Sequence, residues 1–286
     1  MAIMPRLLHS QSSFYKPHRL ATSMSGRSLS TGQERVDKSS KIEEAETVKV
    51  TPPLTDKLLV LGGNGFVGSH ICKEALNCGL TVSSLSRSGR STIPDSWAND
   101  VVWHQGDLLS PDSLRDALNG VTSVISCVGG FGSNSHMYRI NGIANMNAIG
   151  AAAEQGVKRF VYISAADFGL VNYLLKGYYE GKRATETELM NKFPYKGVVL
   201  RPGFIQGTRL VGSIKIPLSV IGAPLEMVLQ YLKPLTRIPL IGPLFISPVN
   251  VTAVAKVAVN AATDPAFPPG VVDVDGILQY SRQKAA

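Results

Sequence analysis

The run Gly62-Gly63-Asn64-Gly65-Phe66-Val67-Gly68 has the residue types and spacing to hold phosphate. In Gly63-x-Gly65-x-x-Gly68 the first glycine permits a tight turn. The second lets the backbone approach a pyrophosphate, and the third lets the next helix pack closely on the strand. A lone GxGxxG arises by chance, so its context decides. Lys57 to Leu61 reads as a short strand buried on both faces. Ser69 to Cys78 predicts a helix ended by Gly79, with its positive N-terminus toward the phosphates. Strand, glycine loop and helix together predict a dinucleotide site.

The next strand, Leu80 to Leu85, runs into Ser86-Arg87-Ser88-Gly89-Arg90. A site selective for NAD(H) places Asp or Glu there to bond the ribose 2′-hydroxyl, and no acid is present. Arg87 offers a planar fork of donors suited to a 2′-phosphate, with Ser86 and Ser88 as neutral donors and Arg90 as a second candidate. The competing reading is a pair of solvated loop cations. NADP(H) is the expected cofactor, and NAD(H) ranks second. Val101 to His104 predicts a third strand, after which Asp107 could bond the adenine amino group or cap the next helix, with Leu108 beside it. Val121 to Cys127 predicts a fourth strand. Cys127-Val128-Gly129 then lets the backbone approach the ribose and pyrophosphate.

These elements imply an α/β fold, a doubly wound parallel sheet of Rossmann type with a small C-terminal substrate lobe. The 286 residues, 44% hydrophobic, supply one sizeable core. Of the net charge of +8, residues 1–50 carry +3 and the rest forms no dense basic run. No nucleic-acid footprint is therefore expected, although phosphates or anionic headgroups could be attracted. Cys72, Cys78 and Cys127 form no CxxC pair and have no histidine cluster near them, so free thiols and no metal site are expected.

Residues 1–33 contain no acid, and Arg6, Lys16, Arg19 and Arg27 are scattered among serines. That is the composition of an organellar transit peptide, and no apolar h-region of a secretory signal is present. Arg27-Ser28-Leu29-Ser30 resembles a mitochondrial processing site. The mitochondrial matrix, with or without inner-membrane association, is the expected destination, and the chloroplast is the alternative. Residues 34–54, ending near Pro52-Pro53, read as a disordered linker, and 55–286 as the nucleotide-binding domain.

Arg139-Ile140-Asn141-Gly142 and the run from Ala151-Ala152-Ala153-Glu154-Gln155-Gly156-Val157-Lys158-Arg159-Phe160-Val161-Tyr162-Ile163 to Ser164, followed later by Leu200-Arg201-Pro202-Gly203, complete the pattern. Over about residues 56–265 the chain resembles the short-chain dehydrogenase/reductase superfamily, in its extended and atypical branches. Within it, the chain is similar to two mitochondrial groups: the accessory Rossmann-fold subunit of respiratory complex I and, preferred here, the dehydrogenase-like proteins associated with ubiquinone biosynthesis.

The resemblance implies a Tyr and a Lys one helical turn apart. The ammonium lowers the phenol pKa and bonds the nicotinamide ribose, so the phenol exchanges a proton with a carbonyl oxygen. Tyr178 and Lys182 have that spacing, fourteen residues after Ser164. The superfamily usually ends strand five with two small hydroxyl residues, the second polarising the substrate carbonyl. Here the pair is Ser164-Ala165, so the triad is intact if Ser164 takes that place and broken if Ala165 does. Gly181 in this helix implies either a close approach by cofactor or helix, or a marginal helix.

Ser213 to Asn250 is apolar but broken by six prolines, so it is not a spanning helix. It reads as the core of a lobe at about 205–250 or as an apolar pocket or membrane-surface patch for a prenylated quinone. Pro248 to Ala258 reads as a return from strand to helix. The expectation is an NADP(H)-dependent oxidoreductase acting on an apolar carbonyl or quinone-pathway substrate. Its alternative is a non-catalytic NADP(H)-binding assembly protein of a mitochondrial inner-membrane complex.

Overall fold

Strand β1, Lys57–Leu61, buries four consecutive apolar residues. Leu58 and Val60 enter one core cluster and Leu59 and Leu61 the other, because successive strand side chains point to opposite faces. An apolar run without alternation is therefore what a strand covered on both sides requires. The structure, a computed structural model, describes residues 56–90, 94–110, 112–169, 171–211, 214–217 and 248–283. The expected leader and linker, and most of the expected lobe, lie outside the described residues.

Seven strands form one wholly parallel sheet. After β1 come β2 (Thr81–Ser86), β3 (Val102–Gln105), β4 (Ser123–Ser126), β5 (Arg159–Ile163) and β6 (Gly197–Leu200). Ile205–Gln206 (β7) pairs in parallel with Val249–Asn250 (β10), and Thr208–Val211 (β8) forms an antiparallel hairpin with Ile214–Pro217 (β9). Gly270–Val272 (β11) closes the edge, giving the order β11-β6-β5-β4-β1-β2-β3. The order reverses at β1, which lies between β2 and β4, and such a switch point opens a crevice at the carboxyl ends of the strands.

On one face lie α1 (Phe66–Asn77) and two helices from the end of the chain. On the other lie α2 (Asp112–Arg115), α4 (Ala144–Glu154) and α6 (Lys176–Lys192). Between them in sequence run α3 (Asn134–Tyr138) and α5 (Val171–Leu174). The terminal pair are α7 (Val251–Thr263) and α8 (Val274–Gln283). Helix α7 starts at the Asn250 cap, whose side chain accepts from Thr252 N–H, and its small residues pack on the sheet as the sequence suggested. Buried Arg159 of β5 donates to the carbonyls of Ala261 and Phe267, tying the end of α7 to the sheet.

Two boundaries differ from expectation by more than one residue, for local reasons. Helix α1 begins at Phe66, three residues before Ser69, because Gly65 already serves as its extended N-cap. Strand β4 is shorter than Val121 to Cys127 because Val121 N–H closes a turn onto Leu118 O.

Between α3 and α4, Arg139–Ile143 winds as a π-helix. The wider coil leaves carbonyls open to side chains. Asn141 O accepts from Tyr162 Oη at 3.1 Å, Thr185 Oγ1 at 2.9 Å and Asn145 Nδ2 at 3.2 Å. This segment also meets α6 backbone to backbone. A Cβ on Gly181 would lie 2.8 Å from Gly142 N, and one on Gly142 would lie 3.0 Å from Gly181 Cα. A neighbouring helix thus accounts for the glycine inside α6.

Candidate functional site

The glycine loop follows β1 at the switch point, and its residues divide the work differently from the simple motif. Gly62 takes the positive φ, +86°, while its N–H donates to Leu85 O. The tight turn therefore belongs to Gly62, outside the motif spacing, and not to Gly63 as expected. Gly63 is bare because a Cβ there would lie 2.3 Å from Ser84 Oγ, the hydroxyl that accepts its N–H at 3.1 Å. A Cβ on Gly68 would lie within 2.9 Å of Gly62 O, Gly62 C and Gly63 Cα, so the first turn of α1 rests directly on the loop.

A cleft of about 640 Å³ opens above this loop. Gly62, Asn64 and Gly65 form its floor; Ser86, Arg87 and Ser88 form one end. Asp107 and Leu108 form one wall and Cys127, Val128 and Gly129 the other. Leu85, Gly106, Ile140 and Ala144 complete the lining and were not singled out from the sequence. Ile140 and Ala144 arrive only because the π-turn brings α3 and α4 over the loop after β4. Gly63, Phe66, Val67 and Gly68 do not line the cleft. Phe66 meets His70 edge-on and Val67 packs on the core.

Arg87 and Ser88 are exposed at the cleft, whereas Arg90 donates to Asn99 Oδ1 at 2.8 Å. Ser86 gives its hydroxyl proton to Gly89 O, which withdraws it as a donor. Asp107 Oδ1 accepts from Leu109 N–H at 3.0 Å and so caps its own turn while still lining the cleft. A bare glycine loop, a helix N-terminus and a groove this size meet the requirements of a dinucleotide.

The second constellation stands beside Gly129. Lys182 is buried, and its Nζ lies 3.5 Å from where a Gly129 Cβ would be. Nζ donates to Ile163 O at 2.8 Å and sits 4.7 Å from the Tyr162 ring centroid and 5.6 Å from that of Tyr178. Burial brings the ammonium down to about 8, partly opposed by Cys127 and Glu186. Tyr178 stacks on Phe131 at 5.0 Å and meets Tyr179 edge-on at 5.1 Å. Burial and Tyr179 push its phenol up to about 12, against the relief from Arg183. The expected lowering of Tyr178 by Lys182 is absent from this structure, because desolvation outweighs any gain from an ammonium held to Ile163 O.

Ser164, at the end of β5, donates its hydroxyl proton to Glu186 Oε1 and accepts from Arg183 Nη1 at 3.2 Å. Glu186 also receives Arg201 through Nε and Nη2. Burial pushes the Glu186 carboxyl up, but the hydrogen bonds from Arg201 and Ser164 and the two guanidinium charges outweigh it and hold the group ionised below its usual range. Ser164 therefore belongs to a buried charge network that joins β5, α6 and the end of β6. Glu186, Arg183 and Arg201 were missed, although Glu186 follows Tyr178 and Lys182 at the same spacing of four. Among the described residues no cluster of His, Cys, Asp and Glu could hold a metal, and no helix is long and apolar enough to cross a membrane.

Comparison with known proteins agrees with this geometry. An uncharacterized chloroplastic protein of Arabidopsis thaliana is 44% identical over 237 residues, covering 81% of this chain and 79% of its own. MIOREX complex component 2 of Saccharomyces cerevisiae is 28% identical, over 78% of this chain and 99% of its own. Among solved structures, UDP-glucose 4-epimerase of Thermus thermophilus in complex with NAD shares the fold with a TM-score of 0.54 at 20% identity, over 80% of this chain and 83% of that one. Residues 62–215 match the family described as NAD(P)H-binding. With its switch-point cleft and parallel Rossmann sheet, the chain belongs to this NAD(P)H-binding family.

Proposed function

We propose that this chain is a mitochondrial NADP(H)-dependent oxidoreductase acting on an apolar carbonyl or quinone-pathway substrate linked to ubiquinone metabolism. The observation that carries the reading is the position of Lys182. Its Nζ stands behind the Gly129 wall of the nucleotide cleft, 3.5 Å from where a Cβ on Gly129 would be, and lies 5.6 Å from the Tyr178 ring centroid, between the two constellations. Arg87 and Ser88, with no acid at the end of β2, support NADP(H) over NAD(H). The matrix location is supported by the leader composition and by a relative named as mitochondrial, protein fmp-52, mitochondrial, of Neurospora crassa. The Arabidopsis relative supports a plastid as the alternative destination.

When bound, the nicotinamide supplies or accepts a hydride. The backbone of Gly62, Asn64 and Gly65 would hold the pyrophosphate, Arg87 and Ser88 the adenosine end, and Gly129 with Lys182 the nicotinamide half. Tyr178 is protonated at neutral pH, so its hydroxyl is equipped to deliver a proton to a developing alkoxide or quinol oxygen. Lys182 supplies positive charge next to that phenol. Phe131, stacked on Tyr178 and largely exposed, offers an apolar aromatic face toward the substrate side.

A second reading, an assembly protein that uses the nucleotide structurally, is favoured by Ser164, whose hydroxyl is held by Glu186. Two relatives, the MIOREX complex component and the photosystem II assembly factor Ycf39 of Synechocystis, are named for complexes. The test is NADPH consumption by the purified protein against panels of quinones and aldehydes. The enzyme reading expects turnover that Tyr178→Phe lowers by at least about a hundredfold. If Tyr178→Phe restores the quinone content of cells lacking the protein as well as wild type does, the enzyme reading fails and the assembly reading stands.

A further inference from the structure

Asn64 sits within the glycine loop, yet its side chain reaches across to the end of β2. Its Nδ2 lies 2.8 Å from Ser86 Oγ, 2.8 Å from Ser88 Oγ and 2.9 Å from Gly89 O. Gly89, at φ +67°, turns its carbonyl back toward the loop, and its N–H closes the turn onto Ser86 O. A carbonyl only accepts, so Gly89 O fixes which end of the Asn64 amide faces this turn. The opposite orientation would set oxygen against oxygen. Asn64 Oδ1 is accordingly left buried and unpartnered among the described residues.

This orientation has a consequence for proton direction. Ser86 is committed to Gly89 O at 3.0 Å. Ser88 Oγ receives an N–H from Asn64, so its own proton points elsewhere, and Ser88 is exposed in the cleft beside Arg87. A hydroxyl that accepts one hydrogen bond becomes a stronger donor in the next.

We infer that Asn64 is a positioning residue for nucleotide choice. It makes Ser88 Oγ a donor, alongside the Arg87 guanidinium, toward a phosphate on the adenosine ribose. The inference rests on the NADP(H) reading above. It assigns the pyrophosphate loop a second task, setting the polarity of the loop that tells one nucleotide from the other.

The experiment is calorimetric titration of the full chain with NADPH and with NADH, for wild type, Asn64→Ala, Ser88→Ala, the double variant and Arg87→Ala. Asn64→Ala and Ser88→Ala are each expected to weaken NADPH about tenfold and NADH by less than about twofold. The double variant is expected to be no weaker than the worse single one, because the two side chains act in series. If Asn64→Ala weakens both nucleotides by the same factor, or Ser88→Ala leaves NADPH unchanged, the inference is overturned. A wild type without preference, or an Arg87→Ala variant that loses both nucleotides equally, would instead overturn the NADP(H) reading itself. Should Asn64→Ala fail to fold, exposed Ser88 carries the test, with Ser88→Thr expected to keep NADPH preference where Ser88→Ala loses it.

Discussion

Lys182 is the residue on which the two halves of the site depend, and its environment makes it measurable. Its ammonium is buried among Tyr162, Tyr178 and Gly129 and is brought from 10.5 to about 8. Between those values the folded lysine has lost its proton while the unfolded one keeps it, so the unfolded chain binds more protons and stability rises with pH. The penalty for burying the charge is therefore full below about pH 8 and gone above about pH 10.5. Denaturant unfolding of wild type and Lys182→Met across that window should shift in favour of wild type by up to about 3 kcal/mol as pH rises. A gap that does not move with pH would mean the lysine is not buried as described. Tyr178 and Lys182 were legible in the sequence because their spacing of four places them on one helix face. Glu186, at the next such position, was not legible. A carboxylate there reads as a solvated face until the fold brings Arg201 from the end of β6 and Ser164 from the end of β5 onto it.

At the scale of elements, the decisive device is the crossing of α6 with the π-turn at Arg139–Ile143, which sets Lys182 behind Gly129 and brings Ile140 over the cleft. Gly142 and Gly181 allow that crossing. Gly181→Ala would gain helix propensity of about 1 kcal/mol, yet its Cβ would lie 2.8 Å from Gly142 N. Thermal unfolding should show a net loss of about 2 kcal/mol. Gly150→Ala in α4 is the matched control, since a Cβ there meets nothing within 4 Å. That substitution should stabilise by about 0.5–1 kcal/mol. Gain at both positions would contradict the close crossing. From sequence, Gly181 left two explanations open, and only the partner helix, some forty residues away, decides between them. The π-turn has no sequence signature of its own. Its evidence is the set of side-chain donors gathered on Asn141 O.

For the whole molecule, alternation of short apolar runs with helical segments made the doubly wound class legible, because such runs survive only in a sheet covered on both faces. The strand order was not legible, since each crossover joins segments that local pattern cannot pair. The edge strand β11 went unread because it spans only Gly270–Val272, follows two prolines and leaves Val271 half exposed. The reversal of order beside β1 then explains why the glycine loop, the turn after β2 and the turn after β4 line one cleft. That cleft is proposed to hold NADP(H) next to Lys182 and Tyr178. The most direct measurement is the pair of dissociation constants for NADPH and NADH on the wild-type chain at one ionic strength. NADPH should bind at least about tenfold more tightly, as expected of a guanidinium and a hydroxyl facing a phosphate. Equal affinities, or tighter binding of NADH, would contradict the account.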